Sequence, residues 1–233
     1  MAYFKTGLLM VLMTCIVGFL GTLLAGFEGL IFALLFAGLM NIFAWYKSDS
    51  MVLKMYGAKQ VSESNQLSKI VKSLCRKANM PMPKVFIIEN PQPNAFATGR
   101  NPDNSSVAAT TGLLERLSQE EVTAVMAHEL AHIKNRDTTI MVITATFAGA
   151  ISMLANFAMF FGSRGRNGIG FIGIIALMIL APLAASLVQM AISRGREYEA
   201  DRIGAEICEN PKWLASALRS IQKMANRIDN EVA

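Results

Sequence analysis

Four stretches without a single Asp, Glu, Lys or Arg limit what this chain can fold into. They cover residues 6–27, 29–46, 138–163 and 167–193. A helix needs about 20 apolar residues to cross the hydrocarbon core of a bilayer, so each stretch is long enough to span it. A soluble domain rarely contains so much uncharged sequence in runs of this length. The pattern therefore predicts a mainly α membrane protein with four transmembrane helices in two hairpins.

The charged residues divide the rest of the chain into polar segments. Lys and Arg number 22 and Asp and Glu 17, and all but four of them lie in residues 47–137 and 194–233. We therefore expect transmembrane hairpins at 1–46 and 138–193, separated and followed by two polar parts. A cleaved signal peptide is the alternative for the first stretch, but that stretch is longer than the usual signal core, so we expect an anchor.

Basic residues that flank the four stretches predict the orientation. Seven of them border one side of the membrane: Lys5, Lys47, Lys54, Lys134, Arg136, Arg194 and Arg196. Only Arg164 and Arg166 lie on the other side, so the positive-inside rule makes the first side cytoplasmic. Basic and acidic residues alternate in the polar parts despite the net charge of +5, which argues against nucleic acid. No CxxC spacing is present, so neither disulfides nor a cysteine metal site is expected.

The first polar part has the pattern of a small α+β domain. Apolar residues at helical spacing predict a helix over 64–78, and a short apolar run predicts a strand over 84–88. Residues 94–99 and 106–111 flank a turn and are expected to form a hairpin, giving a small antiparallel sheet. Ser118 followed by Glu121 is typical of a capping box that starts the next helix. That helix should enter the third stretch directly or after a kink near 135–138, and residues 194–209 and 211–226 should form two further helices.

The only two histidines, His128 and His132, are four residues apart and enclose Glu129 in an HExxH pattern. Residues i and i+4 share one face of a helix, so both imidazoles can bind one zinc ion while Glu129 holds a water bound to it. The alternative is a pair of interfacial polar residues. The pattern predicts one Zn²⁺ per chain and a hydrolytic site in which Glu129 is the base.

A catalytic zinc site needs a third protein ligand and an open position for water. Glu197 and Asp201 form the best candidate pair, with Glu197 as the ligand and Asp201 as the carboxylate that orients a histidine. From spacing alone, the same residues could equally be the solvated, salt-bridged end of a helix. Glu199 and Glu206 are the other candidate ligands. For the oxyanion of the reaction the sequence offers only Tyr198 or Arg196 as candidates.

These motifs resemble the HtpX family of integral-membrane zinc metallopeptidases, relatives of the CAAX prenyl endopeptidases. The resemblance rests on His-Glu-Leu-Ala-His-Ile-Lys-Asn-Arg-Asp over 128–137, Ser193-Arg194, Glu-Tyr-Glu-Ala-Asp over 197–201 and the segment 90–99. It implies a cytosolic zincin-like part at 47–137, with the helices of 194–233 supplying the third ligand. It also implies His128, His132 and Glu197 as ligands and Glu129 as the catalytic glutamate. The family further implies a prokaryotic inner membrane, a site facing the cytosol and a stress-related role in membrane-protein quality control.

Substrates are expected to be proteins or peptides, among them membrane proteins within the lipid bilayer. An exposed edge strand can bind an extended peptide through its backbone, and the strand Asn94, Ala95, Phe96, Ala97 and Thr98 is the candidate; an internal strand is the alternative. Family members usually continue to a His-Pro-Pro segment, whereas no histidine follows His132 here. A catalytically silent zinc-binding scaffold or chaperone is therefore the alternative function. A transporter is disfavoured, because no acidic residue or histidine lies inside the uncharged stretches.

Overall fold

The computed structural model describes residues 2–141, 186 and 194–232. The chain divides into two compact units, one formed by 1–48 with 140–193 and the other by 49–139 with 194–233. The expected second transmembrane hairpin, 138–193, lies outside the described residues except for 138–141 and 186. Both histidines fall in the second unit.

Helix α1 (Ala2–Met55) supplies the described part of the first unit, and it folds back on itself. Asn41 Nδ2 donates to Thr14 Oγ1 at 3.0 Å, whereas a straight helix would separate these residues by about 40 Å. The reversal occurs at Gly26, which has a φ of 60° that a residue with a side chain rarely adopts. Gly21 is so close to the returning half that a Cβ there would meet it at 2.4 Å. The helix is thus a tight hairpin that turns within the expected loop 25–29.

Large apolar side chains cover the surface of this hairpin. Five of them are between 63% and 74% exposed: Phe19, Phe27, Phe32, Leu35 and Leu39. The segment Gly26–Phe43 is long and apolar enough to cross a membrane by length and composition. So many exposed large apolar side chains are unusual for a helix that faces water.

A four-stranded mixed sheet forms the frame of the second unit. Its strands are β1 (Lys59–Gln60), β2 (Lys84–Ile88), β3 (Ala95–Asn101) and β4 (Asn104–Thr110). They lie in the order β1-β2-β4-β3, so β3 is an edge strand among the described residues. β2 and β4 are internal, and the side chains of β4 are buried along nearly its whole length.

The expected antiparallel sheet is wrong in one pairing. β3 and β4 form the predicted antiparallel hairpin, but β4 pairs with β2 in parallel. The chain leaves β2, crosses to the far edge as β3 and then returns as β4 between the two. The hairpin therefore places its second, more deeply buried strand next to β2, and the two strands run in the same direction. The two-residue strand β1 was not expected from the sequence and pairs with β2 in antiparallel fashion.

Helices pack on one face of this sheet and enclose the main core. They are α2 (Gln66–Ala78), α3 (Thr111–Arg116), α4 (Gln119–Lys134), α5 (Arg194–Cys208) and α6 (Pro211–Val232). Core residues Val85, Val107 and Ala109 of the sheet face this layer, where Met126 and Leu130 of α4 are fully buried. The opposite face of the sheet carries a smaller cluster of Leu53, Ile88 and Ala108. The helical layer is what brings α4 and α5 together.

The ends of α4 match the sequence expectation. The Ser118 side chain accepts from the Glu121 N–H, and the Glu121 side chain accepts from the Ser118 N–H, which completes the capping box. The helix ends at Lys134, Arg136 adopts a φ of 63°, and the chain is helical again from Asp137. The predicted kink between this helix and the third uncharged stretch is therefore present.

Candidate metal centre

Helix α4 presents both histidines on one face. His128 and His132 are one turn apart, so their side chains lie side by side. Their Nε2 atoms are 3.2 Å from each other, and the two rings meet edge to face with centroids 4.8 Å apart. His132 is buried and His128 is partly exposed. Two nitrogen donors therefore converge at the surface of α4 that faces α5.

Helix α5 adds a carboxylate to this pair. Glu197 Oε2 lies 3.5 Å from His128 Nε2 and 3.7 Å from His132 Nε2. The ligand atoms of the three residues all lie within 4.8 Å of one another. Donors at about 2.05 Å from a tetrahedral zinc ion are about 3.3 Å apart, so the observed spacings fit such an ion. Two imidazoles and a carboxylate are also a ligand set that zinc accepts in open, catalytic sites.

Two further carboxylates approach the ring nitrogens that face away from this centre. Asp201 Oδ1 is 2.9 Å from His128 Nδ1, at an angle that is poor for a hydrogen bond. Asp137 Oδ2 is 3.2 Å from His132 Nδ1, and both of these side chains are buried. Such contacts fix the tautomer and the direction of a metal-binding imidazole. Each histidine thus has one nitrogen free for a metal and the other beside an acid.

Asp137 was not among the expected site residues. Counted along an unbroken helix, a residue five positions after His132 lies about 140° away around the axis. The helix does break, and the left-handed conformation of Arg136 returns Asp137 to the histidine. Helical spacing could not reveal this contact, since it depends on the turn between the two helical segments.

The acidic surroundings act differently on the two imidazoles. Burial lowers the pKa of His128, and the neighbouring His132 adds to the effect against the opposite influence of Asp201 and Glu197. Burial also acts to lower the pKa of His132, but Asp137, Glu129 and Glu197 outweigh it and the pKa is raised. Burial raises the pKa of Glu129 to about 7, although His132 and the N–H of Ala97 act against it.

The edge strand β3 borders the site through Glu129. The backbone N–H of Ala97 faces the Glu129 carboxylate and acts to lower its pKa, while the Thr110 N–H of β4 donates to the carbonyl of Asn94 at 2.9 Å. Backbone groups of successive residues alternate between the two sides of a strand. Asn94, Phe96 and Thr98 therefore bond toward β4, and the N–H and C=O groups of Ala95 and Ala97 face the open edge beside the site.

A cavity of about 170 Å³ opens next to this edge. Its walls include His128 and Glu129, the segment 93–95 that leads into β3, and a group of apolar side chains: Leu113, Val125, Leu214, Leu218 and Ile221. Three of these belong to α6, so the last helix forms one wall. The lining is mostly apolar, and its polar residues are His128 and Glu129 of the candidate centre and Asn94.

The remaining sequence candidates lie elsewhere. Glu199 and Glu206 both pair with Arg202, at 2.6 Å and 2.5 Å, and neither belongs to the cluster of possible metal ligands. The alternative of a solvated, salt-bridged helix end thus describes Glu199 and Glu206, whereas Glu197 lies beside the two histidines. Tyr198 is 74% exposed and Arg196 is half-buried. A role for either in stabilising an oxyanion remains a prediction.

The chain is similar to known proteins in two comparisons. The crystal structure of Ste24p from S. mikatae is similar at 24% sequence identity and a TM-score of 0.49. The match covers 74% of this chain and 47% of that one, so the chain spans about half the length of that relative. The model of peptidase family M48 matches residues 61–230, which include the whole α4–α5 site. The chain belongs to peptidase family M48.

Proposed function

We propose that this chain is a membrane-embedded zinc endopeptidase. One observation carries the proposal: His128, His132 and Glu197 place three donor atoms within 4.8 Å of one another on two packed helices. In this assignment His128, His132 and Glu197 bind one zinc ion, and Asp201 orients His128. Membership of a peptidase family supports hydrolysis as the reaction.

Glu129 has the position and the surroundings of a general base. It lies on α4 between the two histidines, and burial raises its pKa to about 7. A zinc ion at this site would polarise the scissile carbonyl and acidify a water molecule. Glu129 then accepts the proton of the attacking water and later donates it to the leaving amine. Because burial disfavours its charged form, this carboxyl can hold the proton between the two transfers.

The open edge of β3 supplies the binding surface for the peptide. The N–H and C=O groups of Ala95 and the C=O group of Ala97 can pair with an extended substrate strand, while the N–H of Ala97 faces Glu129; in this proposal the segment Asn94–Thr98 is the substrate-binding strand. Backbone pairing accepts many sequences. The adjacent cavity, with its apolar wall from α6, supplies the selective contact and favours a large apolar side chain next to the scissile bond.

The location follows from the apolar hairpin and the sequence pattern. The exposed apolar surface of α1 and its spanning segment Gly26–Phe43 support insertion in a bilayer. We propose four transmembrane helices, as the four uncharged stretches predict, and a site on the cytosolic side. The HtpX-like motifs favour a prokaryotic inner membrane and membrane-protein substrates in quality control.

A catalytically silent zinc scaffold is the competing function. Structural zinc sites are normally closed by four protein ligands. Within the described part of the chain, the cluster around the two histidines contains three. An ion held by three ligands leaves a position for water, which favours catalysis.

The deciding experiment compares wild type with Glu129→Gln, purified in detergent and loaded with one equivalent of zinc. An amide keeps the shape of the side chain but cannot accept the proton of the water. We expect Glu129→Gln to retain zinc and to lose peptide cleavage by about 10²–10⁴-fold. Glu120→Gln is the matched control, since Glu120 lies on the exposed first turn of the same helix. If Glu129→Gln cleaves at most of the wild-type rate, the proposed base is wrong.

A further inference from the structure

Three positions of α5 converge on a single residue of α4. Glu197, Asp201 and Gly204 are spaced i, i+4 and i+7, so they lie along one face of the helix. Glu197 approaches Nε2 of His128 at 3.5 Å, and Asp201 approaches Nδ1 of the same ring at 2.9 Å. Gly204 approaches the backbone: a Cβ built there would lie 3.0 Å from both the N and the Cα of His128.

The atoms opposite Gly204 cannot move aside by rotating a bond. They belong to the backbone of α4, and a Cβ would also lie 3.3 Å from the carbonyl carbon of Ala127. Contacts this short require the neighbouring backbone to shift by a few tenths of an ångström. Ala200, one turn earlier, is fully buried and carries its Cβ, so the helices have room for a methyl group there and not at Gly204.

Metal coordination is sensitive to displacements of this size. Distances between a metal and its ligands are held to about 0.2 Å. A shift of a few tenths of an ångström at Gly204 moves a rigid helix that carries both Asp201, less than one turn away, and Glu197, two turns away. Glycine is also a poor residue for the interior of a helix, so its presence in α5 is explained by the close approach rather than by helix formation.

We propose that Gly204 is a positioning residue for the metal centre. Its missing side chain lets α5 approach the backbone of His128, and this sets the separation at which Glu197 and Asp201 reach the two ring nitrogens. The inference rests on the proposed metal site. It adds a structural requirement that the ligand set alone does not contain.

The test measures zinc affinity separately from folding. Full-length wild type, Gly204→Ala and Val71→Ala are purified in detergent. Val71 is a fully buried core residue of α2, so its truncation destabilises the fold while every residue of α4 and α5 stays unchanged. Zinc dissociation constants are obtained by competition with a chromophoric chelator, and the melting temperature of each metal-free protein is recorded.

We expect Gly204→Ala to bind zinc about 10–100-fold more weakly, while its metal-free melting temperature falls no further than that of Val71→Ala. Val71→Ala should bind zinc within about threefold of wild type. With Co²⁺ in place of zinc, the visible spectrum of Gly204→Ala should change, because one carboxylate no longer reaches the ion at its former distance.

Two results would overturn the inference. One is a Gly204→Ala protein that binds zinc as tightly as wild type. The other is a variant that fails to fold, because a displacement of a few tenths of an ångström should alter coordination and leave the fold intact. If wild type itself binds no zinc, the proposed function fails instead, so the two failures are distinguishable.

Discussion

Asp137 Oδ2 lies 3.2 Å from Nδ1 of His132, and both side chains are more than 90% buried. On the other histidine, Asp201 is half-exposed and meets His128 Nδ1 at a poor angle. Water competes less for the hydrogen bond of a buried carboxylate than for that of an exposed one. The pair formed by Asp137 and His132 is therefore the stronger of the two outer contacts.

Removal of Asp137 should weaken metal binding more than removal of Asp201. We expect Asp137→Ala to lower zinc affinity by about 10–100-fold, since His132 then loses the group that fixes its tautomer. Asp201→Ala should lower zinc affinity by a smaller factor than Asp137→Ala does. Chelator competition on the purified variants measures both, with Asp103→Ala in an exposed turn as the control. An effect of Asp201→Ala equal to or larger than that of Asp137→Ala would contradict the ranking.

The third ligand is tested by comparing two glutamates on the same helix. Glu197→Ala should remove most of the bound zinc, because two imidazoles leave the ion under-coordinated. Glu199 lies about 200° around the helix from Glu197 and is held by Arg202 at 2.6 Å, so Glu199→Ala should retain zinc. Elemental analysis of the purified proteins measures the content. Loss of zinc in Glu199→Ala with retention in Glu197→Ala would mean that α5 faces α4 in another register.

Local signals predicted much of this unit, whereas contacts that depend on strand order, on a turn or on a facing helix could not be predicted from the sequence. The apolar run of β2 and the Ser118 capping box are encoded by neighbouring residues, and both occur as expected. The parallel pairing of β2 with β4 depends on which strand the core places in the centre. The contact between Asp137 and His132 depends on a left-handed turn at Arg136. Gly204 has no periodic signal because its role is defined by the helix opposite.

Glu121 holds α6 against the start of α4. Its carboxylate accepts from Ser216 Oγ at 2.7 Å and Ser220 Oγ at 2.9 Å, and from the Ser118 N–H at 3.0 Å. We expect Glu121→Ala to lower the free energy of unfolding by about 1–3 kcal/mol at pH 7, through the lost cap and the two lost bonds between helices. Denaturant unfolding in detergent measures this. Glu120→Ala, on the exposed face, should cause a change of less than about 0.5 kcal/mol.

The contribution of Glu121 should depend on pH. Burial acts to raise its pKa, but Ser216, Ser118 and Ser220 outweigh it and hold the pKa below its usual value. A carboxyl with a lowered pKa stabilises the fold above the pKa of the unfolded chain, about 4.3, and loses that contribution as pH falls through the folded value. The difference between wild type and Glu121→Ala should therefore shrink below about pH 4. A difference that stays constant from pH 7 to pH 3 would exclude the carboxylate as its source.

The α6 wall of the cavity should determine which substrates are cleaved. Leu218 lines the cavity and is 53% exposed, so a charged side chain can be placed there without burying it in the core. Leu218→Glu should reduce cleavage next to large apolar residues by about 10-fold or more, since each lost apolar contact costs about 1–3 kcal/mol in such a pocket. A peptide library measures the profile, with Lys223→Glu as the control, since Lys223 is exposed and lies about 140° around α6 from Leu218. An unchanged profile in Leu218→Glu would place the substrate side chain elsewhere.

The backbone N–H of Ala97 connects the proposed substrate strand with the proposed base. It faces Glu129, whose pKa it acts to lower, and it lies on the open side of β3, so proline at this position removes a donor without removing a bond to β4. We expect Ala97→Pro to fold and bind zinc, and to cleave peptides about 10–100-fold more slowly, the effect of losing one hydrogen bond to a charged group. Ala97→Ser keeps the N–H and should cleave normally. The ratio kcat/KM, measured beside zinc content, tests this, and a fully active Ala97→Pro would remove the edge of β3 from the catalytic site.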